Sequence, residues 1–544
     1  MRIAILLLTP ILISATAAAQ SQPSTTATPS QKPGKVEGVV TSSVNDAPVK
    51  KATVTLRNLG QQFAYAAISD AAGHFLFENV QPGSYHVAAD SSGFMAAAGR
   101  PSAMKPITVA EEQEVKDVAV KLTPLGNITG HVLDADGEPL ARANVEAMRY
   151  VYRQGRKQLQ GTGGSSTNDL GEYQIIDLRP GRYYIRASAQ PRIPRLPPHT
   201  RLAISETAYP STFYPNGSDV TQAKATQVDA GAHIGDVDFR LIEVPSHHIR
   251  GKVVDSQPAG NVFVIARPVR DDSSGFMGNS AQVQPDGTFE FRGLVNGSYN
   301  VTIQSRQTPV TFGNTLVTVA DQDVEGIVLQ PDHGRNIAGS VTVEGPPPDS
   351  WKGMQISLTP LDQMGGFRAV VDSDATFSLQ DVSPRVYGLN VRANIPGKYV
   401  KSIRFGDREI ADGQIDLSHP SDGKLDIVLG SDGGQLLGGV QTSSGDPAVG
   451  ALITLVSKQE GRVDLFKVAT VDPNGNFTLK DVAPGEYMAF AWQDVDVSMV
   501  QSPDFRKPFE SKGVSVTIAP SGQASIQLRM ISTDDVEAEK SKLP

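Results

Sequence analysis

Cysteine is absent from all 544 residues, which removes disulfides, thiolate metal sites, a cysteine nucleophile and a lipid-bearing N-terminal cysteine together. Histidine is scarce, at nine, and none stands in a metal-ligand spacing such as His-Glu-x-x-His. The adjacent His247 and His248 come nearest to a zinc pair, but neighbours on a strand point to opposite faces. No Gly-x-Ser-x-Gly elbow and no Gly-x-x-x-x-Gly-Lys-Ser phosphate loop occurs. Away from the N-terminus no window approaches the roughly 20 apolar residues of a membrane helix. The net charge of -9 is spread along the chain, which argues against nucleic acid as a partner. No catalytic set, cofactor or metal is expected, and the chain reads as a non-enzyme.

What is present begins with an export signature. Arg2, an apolar run over 3–13 and Ala17-Ala18-Ala19 ahead of Gln20 read as a signal peptide over 1–19. Residues 20–35 are rich in Pro, Ser and Thr and read as a disordered tether. A frame then recurs five times, each with an aromatic and, ten residues on, a tyrosine: Phe75 and Tyr85, Tyr173 and Tyr183, Phe289 and Tyr299, Phe377 and Tyr387, Phe477 and Tyr487. An aliphatic residue holds one offset between them (Val80, Leu178, Leu294, Val382, Val482), and a Pro-Gly or its remnant precedes the tyrosine.

Each unit opens on an alternating strand with a central glycine, as in Val36-x-Gly38-x-Val40 and Ile249-x-Gly251-x-Val253. A strand-interior glycine weakens pairing, so its recurrence marks a place where another strand or a ring comes close. Short alternating strands between turn signals, with no helical period, predict five antiparallel β-sandwiches in tandem: 36–123, 124–245, 246–332, 333–433 and 434–531, with a disordered tail over 532–544. Asp70, Asp169, Asp286, Asp374 and Asp472 are expected to shape the turn before the ring-bearing strand through side chain to backbone bonds. Each tyrosine hydroxyl, if buried, needs a partner, and a backbone carbonyl at the turn would serve in the manner of a tyrosine corner. The stretch Gly161-Thr-Gly-Gly-Ser-Ser-Thr reads as a flexible hairpin loop.

The pattern Asp-x-x-Gly-x-Phe-x-Phe-x-x-Val-x-Pro-Gly-x-Tyr-x-Val, complete from Asp70 to Val87 and nearly so from Asp472 to Tyr487, resembles the carboxypeptidase regulatory-like domain. That family is a transthyretin-like, Greek-key β-sandwich related to the Cna protein B-type modules. The third copy has Asn296-Gly297 for Pro-Gly, and the fourth has Ala375 and Pro384-Arg385 where the pattern has glycines. The resemblance implies an exported, non-catalytic module. The related Cna-type modules form Lys to Asn isopeptide bonds assisted by a Glu four residues after the strand-opening tyrosine. Here those positions are Ala89, Ala187, Ile303, Val391 and Ala491, so no such crosslink is expected.

For binding, the second unit stands apart. It carries an insertion over 191–216, Pro-rich at its start and aromatic at its end, and Tyr150, Tyr152, Tyr209, Phe213 and Tyr214 are its candidate ligand residues. The alternative is that Tyr209, Phe213 and Tyr214 cover an open edge of the sandwich. Trp351 and Trp492 fall in different units and make no shared platform; Trp351 follows three prolines and reads as exposed, Trp492 as core or edge. The function expected is a structural or interaction module, with carbohydrate binding in the cell envelope as the alternative. Partners would be an envelope or extracellular protein or a polysaccharide, met by a monomer in the periplasm, at the cell surface or in the medium.

Overall fold

The computed structural model describes residues 32–58, 64–96, 107–153, 156–189, 207–254, 262–269, 279–305, 311–361, 365–419, 423–459 and 461–542. The expected signal peptide, most of the tether and the proline-rich half of the second unit's insertion lie outside these residues. Strand predominates among the described residues; the first four repeats of the frame each pair their strands into separate sheets that face each other, and in the fifth the corresponding strands are joined into one seven-stranded sheet by the pairing of Gly485–Trp492 with Gln523–Ile531.

The first repeat shows how the sequence dictates this. Its opening strand, Gly34–Ser42, alternates buried and exposed residues, and so does the ring-bearing strand, His74–Val80, beside it. The closing strand, Glu114–Pro124, lies on the other side of the opening strand and runs parallel to it. The second sheet pairs Thr53–Asn58 with the tyrosine strand, Gly83–Asp90, and both are edged by shorter strands. Val36, Val40, Phe75 and Phe77 from one sheet and Val54, Leu56, Tyr85 and Val87 from the other are buried between the sheets. The pattern recurs in later repeats, where the opening strands His247–Val253, Arg335–Val343 and Gly434–Gln441 each take one antiparallel ring strand and one parallel closing strand. Most pairs are antiparallel; the parallel ones are the opening strand with its closing strand or strands and, in the fifth repeat, also the tyrosine strand Gly485–Trp492 with Gln523–Ile531, and such pairing needs a long connection.

All ten frame aromatics are buried, Tyr299 being the most exposed at 5%. In every copy the first ring is in register with the opening strand's glycine: Gly38 with Phe75, Gly130 with Tyr173, Gly251 with Phe289, Gly339 with Phe377 and Gly438 with Phe477. A Cβ at Gly38 would come within 2.7 Å of Phe75 Cζ, and one at Gly438 within 2.6 Å of Phe477 Cε1. The glycine leaves room for two neighbours at once, the ring that lies across it and, closer still in every copy but the fourth, a backbone carbonyl of the closing segment, such as Val118 O for a Cβ at Gly38.

The aliphatic partner needs a further device. Val80 lies five residues after Phe75, an odd spacing that would turn it outward on a regular strand. In all five ring strands the register shifts before this residue, and the residue preceding it is left-handed: Asn79, Asp177, Gly293, Asp381 and Asp481 have φ between 53° and 68°. The bulge adds one residue and returns the aliphatic side chain to the core.

By their packing the residues separate into two compact units, the first sandwich and, from Thr123 onward, the remainder. Within the larger unit the second to fifth sandwiches have cores of their own. Two expectations are corrected. The tail from Ser532 is not unstructured: residues Thr533–Lys542 form a helix whose Val536 is buried against aromatic side chains of the fifth sandwich. Its apolar anchor is a single residue, too little to register as a helical period. The glycine-rich stretch from Gly161 is not a loop but part of a strand, Arg156–Ser166. A Cβ at Gly161 would overlap the Glu146 carboxylate, which is paired with Arg186 at 2.6 Å. Among the described residues no helix is long and apolar enough to cross a membrane.

Candidate functional site

The tyrosines of the frame are used in one way. Each hydroxyl donates to the carbonyl four residues upstream: Tyr85 to Gln81 at 2.6 Å, Tyr183 to Arg179 at 2.7 Å, Tyr299 to Val295 at 2.8 Å, Tyr387 to Ser383 at 2.7 Å and Tyr487 to Ala483 at 2.8 Å. Burial pushes the Tyr183 hydroxyl upward and that of Tyr487 up to about 12. In the second sandwich the first aromatic is itself a tyrosine, and its hydroxyl donates to Val237 O at 2.6 Å, occupying the gap between two short closing strands. These hydroxyls hold the backbone at the turns and, in Tyr173, at the gap between the closing strands, and each spends its one donor there.

The turn carboxylates are caps, though not all at the expected residue. Asp70 Oδ1 accepts from the amides of Ala72 and His74, and Asp472 Oδ1 from those of Asn474 and Asn476. In the second repeat the cap is Asn168 rather than Asp169. Asp286 and Asp374 sit two positions later in the frame and each binds one threonine, Thr288 or Thr376, through both amide and hydroxyl, which lowers the carboxyl below its usual range.

The five aromatics singled out in the second sandwich part company. The sheet carrying Asn144–Arg153 and Gly181–Ala189 has its inner face on the main core, and Met148, Leu159, Tyr184 and Phe213 form a separate buried cluster. Phe213 is fully buried there; it arrives on the strand Thr207–Phe213, which pairs with the tyrosine strand and is the described part of the insertion. Tyr150 is half-buried beside this cluster, its ring 5.5 Å from Tyr184 and its face under Lys157 Nζ at 3.9 Å. Tyr209 and Tyr214 pack instead against the main core, the Tyr214 ring 5.9 Å from Phe239. Burial, then the neighbouring Glu243, raises the Tyr209 hydroxyl. Tyr150, Tyr152, Tyr209, Phe213 and Tyr214 thus share no single face.

Tyr152 goes furthest from the rest. It lies at the outer end of a hairpin whose two strands, Asn144–Arg153 and Arg156–Ser166, pair along their whole length. Only Asn144–Met148 is also paired with the tyrosine strand, so the hairpin overhangs its own sheet. The Tyr152 side chain is buried in a cluster built by the fifth sandwich from Phe490, Trp492, Val500, Phe505 and Phe509. Phe490 and Trp492 come from the strand Gly485–Trp492, whose Tyr487, Ala489 and Ala491 face that sandwich's main core. Short helices α1 (Val497–Val500) and α2 (Pro503–Arg506), followed by a turn over Lys507–Lys512, supply the other rings. Sequence reading missed this insert. Its signals were Asp496, which caps α1 by accepting from Ser498 N at 2.9 Å, proline at the first position of α2, and Phe505 and Phe509 four apart.

The fourth and fifth sandwiches are joined more tightly. Tyr399, from the fourth, is buried in the core of the fifth, its hydroxyl on Asp432 at 2.8 Å. Arg462 and Asp464, with 6% and 4% of their side chains exposed, pair at 2.7 Å, and Arg462 Nη2 also donates to Val400 O at 3.0 Å. Trp351 is partly buried against the fourth core, and Trp492 is buried with Nε1 donating to Thr454 Oγ1 at 2.8 Å.

Residues 35–123 and 127–211 match the family described as the carboxypeptidase regulatory-like domain. The first two sandwiches are thus similar to carboxypeptidase regulatory-like domains over these residues. The matched segments hold the first two copies of the frame, with the ring over the glycine, the bulge and the tyrosine corner. The three later sandwiches repeat the same devices. No curated protein matches the chain. Among solved structures, the major pilin subunit BcpA of Bacillus cereus is 12% identical over 55% of this chain and 99% of its own, with a TM-score of 0.16. The shaft pilin spaA of Lactobacillus rhamnosus GG is 10% identical over 39% and 97%, with a TM-score of 0.21, and the TIE protein of Bacillus anthracis 10% identical over 74% and 73%, with a TM-score of 0.16.

Proposed function

We propose that this chain is an exported, non-catalytic scaffold whose carboxypeptidase regulatory-like domains and their later copies space and present a surface to an envelope or extracellular protein. The observation that carries this reading is the use of the recurring residues. In each copy the glycine admits a ring, the tyrosine bonds a turn carbonyl and the turn carboxylate or amide binds backbone, so what is kept constant is packing. Export rests on the N-terminal signature of Arg2, the apolar run and the alanines before Gln20.

The test is fractionation of cells producing the tagged full chain, followed by in vivo crosslinking and identification of what is captured. Recovery from the envelope or medium with a protein partner supports the scaffold. Cytoplasmic retention overturns export. Saturable binding to a polysaccharide, lost in a Tyr209→Ala/Tyr214→Ala double variant of intact fold, or turnover of peptide or glycan substrates, overturns the assignment in favour of a sugar-binding or enzymatic role.

A further inference from the structure

The contact between Tyr152 and the fifth sandwich has features that a permanent core contact lacks. First, it lies outside both cores: the fifth sandwich's main core is complete without the Trp492 cluster, and the second sandwich's core is complete without the hairpin's outer end. Second, the overhanging part of the hairpin is a two-stranded ribbon, an arrangement of marginal stability by itself, so Tyr152 is held in place by the cluster it enters. Third, the fit is incomplete in its polar groups. Among the described residues the buried Tyr152 hydroxyl has no hydrogen-bond partner, and neither has the Ser502 hydroxyl between α1 and α2. A buried polar group left unpaired weakens the state that buries it, and here release into water satisfies it. Burial raises the Tyr152 hydroxyl and lowers the Lys157 ammonium, the two groups sensing Asp504 of α2 as well. The ring contributes apolar contact, edge-on to Phe505 with centroids 6.0 Å apart.

We propose that the Tyr152 hairpin is a releasable clasp between the second and fifth sandwiches. Seated, it ties together two modules that the third and fourth separate in sequence. Released, it lets them part while both stay folded, and it uncovers an aromatic socket of Trp492, Phe505 and Phe509. The chain thereby holds two states that differ in one plugged contact, and a pull on its ends or a competing apolar ligand shifts it toward the open one.

The test uses the full chain carrying Trp351→Phe, which leaves Trp492 as the sole tryptophan and hence a reporter of the socket. Tyr152→Ala should move Trp492 emission to longer wavelength, raise its quenching by acrylamide severalfold and increase the radius of gyration in small-angle scattering, with the far-ultraviolet strand signal unchanged. Tyr152→Phe, which keeps the ring and deletes the unpartnered hydroxyl, should stay closed and be less readily quenched than the parent. Phe505→Ala, from the socket side, should reproduce Tyr152→Ala, and the double variant should add nothing to either. Unchanged emission and scattering in Tyr152→Ala would overturn the clasp. So would opening in Tyr152→Phe, because the hydroxyl would then be engaged. Loss of strand signal in both Tyr152→Ala and Phe505→Ala would overturn release without unfolding, making the contact part of an indivisible fold.

Discussion

At the scale of single residues, the frame is a set of paired demands. The fourth repeat isolates one of them, because the three nearest atoms to a Cβ at Gly339 all belong to the Phe377 ring. Gly339→Ala should therefore destabilise the fourth sandwich by about 1 to 3 kcal/mol, the range for overpacking a filled core. Combining it with Phe377→Leu should restore part of the loss relative to the sum of the two single changes, as read from urea unfolding. The tyrosine corner makes a second case. Tyr487→Phe removes the bond to Ala483 O and should lower stability by about 0.5 to 1.5 kcal/mol. Because burial pushes the Tyr487 hydroxyl up to about 12, above its unfolded value near 10, its contribution is whole below about pH 10 and is lost as pH rises from there toward 12. Absorbance at the tyrosinate band, recorded beside unfolding, should show this step late and coupled to loss of structure, absent from Tyr487→Phe.

At the scale of elements, the bulge in the ring strand is the device that a period-two reading cannot foresee. Periodicity places Phe75 and Phe77 on one face, and both are buried; it also sends Val80 outward, whereas the left-handed Asn79 brings it in. A signal was available, since the residue before the aliphatic is Asn, Asp or Gly in all five copies, the types that tolerate positive φ. Asp481→Gly should be neutral or slightly stabilising in denaturant melts, as the third repeat already carries Gly293 there. Asp481→Val should cost about 1 to 2 kcal/mol, the penalty for a β-branched residue held left-handed. The candidate ligand residues of the second sandwich were legible as aromatic and unusual, but not as belonging to three surroundings. Phe213 is enclosed by Met148, Leu159 and Tyr184, so the insertion covers the sheet it follows.

At the scale of the whole molecule, the fourth and fifth sandwiches share side chains across their junction. Arg462→Ala would leave Asp464 buried without its partner and should destabilise this pair of modules by about 3 to 5 kcal/mol; Arg462→Ala/Asp464→Ala should cost less, because no lone charge remains. Calorimetry should show the difference as earlier melting of the two modules together. Nothing in the local sequence announces this, since Arg462 and Asp464 look like any surface pair two residues apart.

The sequence alone determined the repeating β-sandwich: the spacing of ring and tyrosine, the glycine opposite the ring and the turn caps are local rules, each satisfied within one repeat. Only the tertiary structure decided what covers the outward faces, because alternation says which side of a strand a residue takes and is silent about what lies beyond it. That Tyr152 meets Phe505 and Tyr399 enters the neighbouring core follows from how whole modules stack, a matter of surface fit between distant stretches of chain that no short-range pattern encodes.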